Sequence, residues 1–207
     1  MVTPAGRKPI MALYSGLDCA YSHGVRIVLL EKEVECQVIY IDPDTGTDEL
    51  AELNPYNETP TLIDRDLVLY GAQIINEYLD ERLPHPPLMP VDPVNRGRAR
   101  LMMMRFDREW LSQVDRLSHG QAIDLDEVCV VVRDGLIAMS PVFAEQQFLL
   151  GDEFSLVDCF LAPLLWRLPA LKIELPRQAR PVIDYSERIF ERQAFMASMS
   201  EIERDLR

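Results

Sequence analysis

A mixed α/β domain followed by an all-helical domain is the fold class the sequence predicts, and three observations predict it. Up to Leu83 the chain alternates strand-like and helical runs in the order βαβαββα. Pro84-His85-Pro86-Pro87 and Pro90 then interrupt every regular pattern, because proline fixes φ and removes a backbone donor. After that break, apolar residues recur at helical spacing to the C-terminus. The division this gives is residues 1–88 for the first domain, 89–94 for a linker and 95–207 for the second.

Ile10 to Tyr14 is a short apolar run that reads as the first strand, ended by Ser15-Gly16-Leu17-Asp18. In the helix that follows, Tyr21, Val25, Val28 and Leu29 share one face, which leaves Arg26, Glu31, Lys32 and Glu33 for water. Cys36 to Ile41 is continuous and β-branched enough to be a strand covered on both faces. After a loop at Asp42 to Gly46, Asp48 to Leu53 reads as a short helix. Thr61 to Ile63 and Leu67 to Tyr70 are β-prone runs split by Asp64-Arg65-Asp66, which makes a hairpin. Thr59-Pro60 enters that hairpin; a proline here lacks the ladder donor and is a candidate cis turn, although trans is the commoner form. Ala72, Ile75, Leu79 and Leu83 then recur at helical spacing, with Asn76, Glu77, Asp80, Glu81 and Arg82 between them.

Asp92-Pro93 offers a cap and a first-turn proline for a long helix. Met103, Phe106, Trp110, Val114 and Leu117 line one side of it, and a Met-rich stripe at that spacing reads as core or dimer seam rather than a ligand box. Ser118 to Asp124 is a polar break, with His119 solvated. Leu125, Val128, Val132 and Leu136 begin another helix, which Pro141 bends or ends near Phe143. Ser155-Leu156-Val157-Asp158 with Phe154 before it is a capping box with a staple, opening the apolar helix Cys159 to Trp166. Two amphipathic helices, Ala179 to Glu191 and Gln193 to Arg204, close the chain.

Composition bounds the function. The chain has 207 residues, 48% of them apolar, enough for a full core. Its 34 acidic and 21 basic side chains leave a formal charge of -13, which repels phosphate backbones. Direct nucleic-acid binding is therefore not expected, and a role near DNA has to run through a protein that supplies the basic surface. No run has signal-peptide or membrane-span character, so no membrane association is expected. Cys19, Cys36, Cys129 and Cys159 lie apart without paired spacing, which fits a reducing cytoplasm better than disulfides or a zinc site. His23, His85 and His119 lack neighbouring ligand pairs, so neither a metal nor a cofactor is expected. Arg26 and Arg65 read as partner contacts or, more simply, as members of surface ion pairs.

The strand and helix order, with Pro60 before the third strand, resembles the thioredoxin-like domain of glutathione transferases. That resemblance implies a thiol-activating Tyr, Ser or Cys near the start of the first helix, where helix donors favour a thiolate. The candidates are Tyr14, Ser15, Cys19, Tyr21 and Ser22. Cys19-Ala20-Tyr21-Ser22 is also similar to the Cys-x-x-Ser of monothiol glutaredoxins; the other reading of Cys19 is a small filler in a loop. The resemblance further implies an acid or Gln followed by Ser at the start of the third helix, to hold the γ-glutamyl end of glutathione. Here Gly71-Ala72 stands instead, which removes two side-chain contacts. At about 1.5–3 kcal/mol for a hydrogen bond to a charged group, losing one weakens binding roughly tenfold or more. Backbone contacts from Thr59 beside Pro60 remain, so Thr59, Pro60, Gly71 and Ala72 make a vestigial glutathione site.

Tyr78-Leu79-Asp80-Glu81-Arg82-Leu83-Pro84-His85-Pro86-Pro87-Leu88-Met89-Pro90-Val91, with Tyr21-Ser22-His23, Leu53-Asn54-Pro55-Tyr56 and Leu164-Leu165-Trp166-Arg167-Leu168-Pro169, resembles the stringent starvation protein A family along nearly the whole chain. The resemblance implies a glutathione-transferase fold without transferase activity, a homodimer, and binding to RNA polymerase holoenzyme near its sigma subunit under stress. It implies that Pro84, His85 and Pro86 form the active surface. The residues themselves allow two readings, a stiff interdomain linker or a rigid docking segment that loses little entropy on binding. The family usually has Tyr where Asp92 stands and Glu-Ser where Gly71-Ala72 stands. The alternative reading is a glutathione-dependent thiol transferase or reductase using Cys19.

Overall fold

The computed structural model describes residues 11–42, 48–118, 120–121 and 124–207. Ile10, Pro43 to Gly46 and His119 lie outside the described residues. Strands β1 (Met11–Gly16), β2 (Cys36–Ile41), β3 (Thr61–Asp64) and β4 (Leu67–Tyr70) form one mixed sheet in the order β2-β1-β3-β4. β1 pairs parallel with β2 and antiparallel with β3, and β3 pairs antiparallel with β4. Helices α1 (Ala20–Glu31), α2 (Asp48–Leu53) and α3 (Ala72–Arg82) complete this half. The rest is helical: α4 (Pro93–Phe106), a π-helical turn (Asp107–Leu111), α5 (Ser112–Ser118), α6 (Leu125–Ala138), α7 (Ser140–Glu145), α8 (Leu156–Arg167), α9 (Arg180–Phe190), α10 (Gln193–Ser198) and α11 (Glu201–Arg204).

The apolar periodicities place the core correctly in most elements. Met103, Phe106, Trp110 and Val114 are all buried, and Phe106 stacks on Trp110 with ring centroids 5.1 Å apart. Trp110 fills a notch left by Gly135, where an added Cβ would sit 2.5 Å from the indole. α8 is buried almost throughout; each of its large apolar side chains contributes about 1.5–3 kcal/mol. Its cap is the predicted one, since Asp158 accepts the Ser155 amide at 2.8 Å and the Ser155 hydroxyl at 2.6 Å. Asp158 also accepts from Leu149 N and Tyr185 Oη, so its buried carboxylate is fully occupied. Asp92 caps α4 as its Oδ1 accepts from the amides of Val94 and Asn95. The Thr59-Pro60 and His85-Pro86 bonds are both cis.

Several expectations need correction. β2 is not covered on both faces; it is the sheet edge, and Gln37 and Tyr40 are exposed. Asp64 is not a turn residue; it pairs with Leu67 at the end of β3, is buried, and is held by Arg82 and by Tyr78 Oη at 2.7 Å. The hairpin loop is only Arg65-Asp66, with Arg65 at φ 60°. Leu125 opens α6 but is exposed. Residues 193–204 are two helices, because Met199 is extended and Ser200 with Glu203 forms a second capping box.

Arg26 and Lys32 do not face water, and Arg26 is no surface ion pair. Arg26 donates to the Ser198 carbonyl at 2.7 Å, to Ser15 Oγ and to the Glu203 carboxylate, all buried. Glu31 is also mostly covered and takes both arms of the Arg192 guanidinium at 2.8 Å. Around Glu203, Arg167 donates at 2.7 Å and bridges to Asp18 at 2.9 Å, and the Trp166 indole donates to the Glu203 carbonyl at 2.7 Å. The C-terminal helix α11 is thereby bolted to α1 and α8 through charge-assisted hydrogen bonds.

Candidate functional site

The loop between α3 and α4 carries the first candidate. Pro84, His85, Pro86 and Pro87 are all exposed, whereas Leu88 and Met89 turn inward and are buried. Prolines leave this loop few amide donors, so its conformation has to be fixed by outside groups. Those groups are Lys32, at the end of α1, and Asp80 of α3. Lys32 Nζ donates to Asp80 Oδ1 at 2.6 Å, to the Leu83 carbonyl at 2.7 Å and to the Pro86 carbonyl. Asp80 accepts the amides of Leu88 at 2.7 Å and Met89 at 3.1 Å. The Leu88 carbonyl in turn accepts the Leu156 amide at 2.8 Å, which ties the loop to the start of α8. His85 is presented to solvent on a backbone gripped from beneath. Asp92 lies beyond Val91, is exposed, and is occupied with capping α4.

Sequence reasoning named the exposed residues and missed Lys32 and Asp80. A run of prolines does signal that donors from elsewhere must satisfy the loop's carbonyls, but nothing local in the sequence says which cation supplies them.

The second candidate is a cleft of about 1380 Å³ between the two halves, which Cys19, Thr59, Pro60, Gly71 and Ala72 all line. The structure thus brings together the residues expected of a glutathione site, and it does not bring Pro84, His85 or Pro86 to it. Cys19 is the N-cap of α1; its Sγ accepts from Ser22 N at 3.4 Å and lies 3.9 Å from the Thr59 carbonyl. Burial raises the Cys19 thiol above its ordinary range, although the hydrogen bonds from Ser22 pull the other way. A thiolate is therefore not favoured at neutral pH.

The other thiol-activating candidates serve the fold. Tyr14 is buried, and burial with a hydrogen bond to Glu49 pushes its phenol up to about 12. Ser15 accepts from Arg26, and Ser22 Oγ accepts the Gly16 amide at 3.1 Å. Tyr21 donates to Asp107, the first residue of the π-helical turn, at 2.6 Å; burial and that carboxylate raise its phenol further. Gly71, at φ 85°, begins α3 with no side-chain cap, and Ala72 presents only a methyl group. Among the described lining residues none is Lys, Arg or His, while Asp18, Glu58, Glu77, Glu81, Asp107 and Asp115 all contribute. Such a wall offers no cation to the carboxylates of glutathione.

His23, near the start of α1, is wholly buried. Its Nε2 lies 2.9 Å from Ser198 Oγ, a hydroxyl that itself donates to the Phe195 carbonyl, and Arg167 approaches Nδ1 at 3.4 Å. These partners fix the proton on Nε2. Burial, reinforced by Arg26 and Arg167, holds the imidazole well below the ordinary histidine range. Among the described residues no cluster of His, Cys, Asp and Glu is placed to hold a metal, and no helix is long and apolar enough to cross a membrane.

Comparison with known proteins agrees with the fold. Residues 13–87 match the family model for the glutathione S-transferase N-terminal domain and residues 101–193 the one for the C-terminal domain. The chain is 46% identical over 202 residues to a stringent starvation protein A homolog of Coxiella burnetii, covering 97% of both. It is 43% identical over 200 residues to one of Pasteurella multocida, covering 96% of this chain and 94% of that protein. Among solved structures, the Tau class glutathione S-transferase from mango superposes with a TM-score of 0.81 at 20% identity, over 97% of this chain and 96% of that one, a likeness of fold alone. With a glutathione-transferase fold and identities above 40% along almost its whole length, the chain belongs to the stringent starvation protein A family.

Proposed function

We propose that this protein is a non-enzymatic transcription regulator that docks, as a homodimer, on RNA polymerase holoenzyme near the sigma subunit and shifts promoter use in starvation stress. The observation that carries this reading is the exposed Pro84-His85-Pro86 segment on a backbone held by buried charges. A rigid segment loses little freedom on docking, so its contacts are retained as affinity. The formal charge of -13 suits a partner that supplies basic protein surface. For the dimer, α3 and α4 are linked by the ion pair of Glu77 and Arg100 at 2.6 Å, and they carry the exposed Ile74, Val94, Leu101 and Met104 for a second copy to cover. Pull-down of purified holoenzyme tests the reading. The native protein recovers polymerase and a Pro84→Ala, His85→Ala, Pro86→Ala variant does not; equal recovery contradicts it.

The position of Cys19 at a helix N-terminus, with its Sγ 3.9 Å from the Thr59 carbonyl, supports a second reading, a glutathione-dependent thiol transferase or reductase. The raised thiol and the missing hydroxyl at Ala72 weigh against it. Heat released on titrating glutathione, together with alkylation of Cys19 that is already fast at neutral pH, would establish it in place of the first.

A further inference from the structure

Pro84, Pro86, Pro87 and Pro90 have no amide hydrogen, so the 83–90 backbone cannot knit itself together. Beyond the Leu83 amide, which closes α3 on the Leu79 carbonyl, and the Leu88 carbonyl, which takes the Leu156 amide, the side-chain hydrogen bonds that hold it come from one buried ion pair. All three Nζ hydrogens of Lys32 are used, on Asp80, on the Leu83 carbonyl before the exposed segment, and on the Pro86 carbonyl at its end. Asp80 takes the next two donors, the Leu88 and Met89 amides. The Lys32 side chain is 0% exposed and that of Asp80 9%, so neither group spends its bonds on solvent. The pair brackets His85 on both sides without touching its ring.

Resting on the docking reading above, we propose that Lys32 and Asp80 are positioning residues for the docking surface: the ion pair sets the backbone path from Leu83 to Met89 and thereby the direction in which His85 points at polymerase. A lysine suits this place because its three donors diverge from one point onto acceptors from different directions. The planar fork of arginine matches a carboxylate and not that arrangement. The pair thus acts on the partner only through the loop it holds, from the C-cap of α1 and the buried side of α3.

The test compares holoenzyme affinity for the native protein, His85→Ala and a Lys32→Met, Asp80→Leu double variant, at a temperature where melting curves show all three folded. Removing both charges together leaves no unpaired buried ion, so the double variant is less destabilised than either single replacement. It is expected to bind at least about tenfold more weakly, as His85→Ala does. Its His85 ring signals in NMR move to those of a free His-Pro peptide while those of buried His23 stay. A general loss of stability would lower the melting temperature and leave both readouts of the folded molecules in place. Native affinity and native His85 signals in the folded double variant overturn the proposal. If the native protein itself fails to bind holoenzyme, the docking reading falls instead, and the His85 signals alone decide whether the pair positions the loop. Should the double variant not fold, Lys32→Arg replaces it with the same expected direction, and native affinity for that variant likewise overturns the proposal.

Discussion

Lys32 Nζ and Asp80 Oδ1 stand 2.6 Å apart in the interior, and between them they satisfy two carbonyls and two amides of the loop that exposes His85. A buried pair of this kind is costly to break and less costly to remove whole. Lys32→Met alone, which strands the Asp80 carboxylate, is expected to lose about 3–5 kcal/mol, while adding Asp80→Leu recovers a large part of that. Urea unfolding of both variants checks it, and additive losses would contradict it.

His23 predicts a pH dependence. The folded imidazole resists protonation because it is buried and faces Arg26 and Arg167, with Glu203 at 3.8 Å too weakly placed to reverse them. The unfolded chain takes up that proton below about 6.5. Stability from this group is therefore complete above about pH 6.5 and is lost as pH falls, by up to about 1.4 kcal/mol per pH unit. His23→Gln keeps a donor toward Ser198 and cannot titrate. Asp158, raised by burial, acts in the opposite sense but is common to both proteins. The native advantage over His23→Gln is expected to shrink between pH 7 and pH 5 in parallel denaturation curves; a constant gap would contradict this.

The glutathione site predicts a gain of function. Ala72→Ser returns a hydroxyl to the start of α3 and is expected to raise glutathione affinity about tenfold or more by calorimetry. Adding Gly71→Glu is expected to give less than its carboxylate promises, because φ 85° costs a side chain there about 1–2 kcal/mol. Unchanged affinity in Ala72→Ser would show that the site fails for some other reason than the missing hydroxyl.

Asn76 is wholly buried in α3, and neither its amide nitrogen nor its oxygen finds a partner among the described residues. Asn76→Leu is nearly isosteric and is expected to stabilise the protein by about 1–2 kcal/mol in chemical denaturation. A loss of stability would mean that the amide is satisfied in solution.

Local signals explain what the sequence disclosed. The Ser155 and Asp158 capping box, the Asp92-Pro93 helix start, the hairpin and the Met103 to Val114 stripe depend on neighbours within a few residues, and all were readable. The Ser200 and Glu203 box follows the same rule and was readable too, but the 3.6-residue pattern ran through it. Arg26, Lys32 and Arg167 were not readable. Periodicity assigns charge to water, whereas their burial depends on Glu203, Asp80 and Asp18, two of which are brought in from more than a hundred positions away. The cleft was legible as a list of residues, and its lack of cations emerged only once folding had gathered its walls.

The most direct test of the central claim is the dissociation constant of RNA polymerase holoenzyme for the native protein and for His85→Ala, measured side by side at one salt concentration. The account predicts at least about tenfold weaker binding by the variant with an unchanged melting temperature. Equal constants for the two proteins would contradict it.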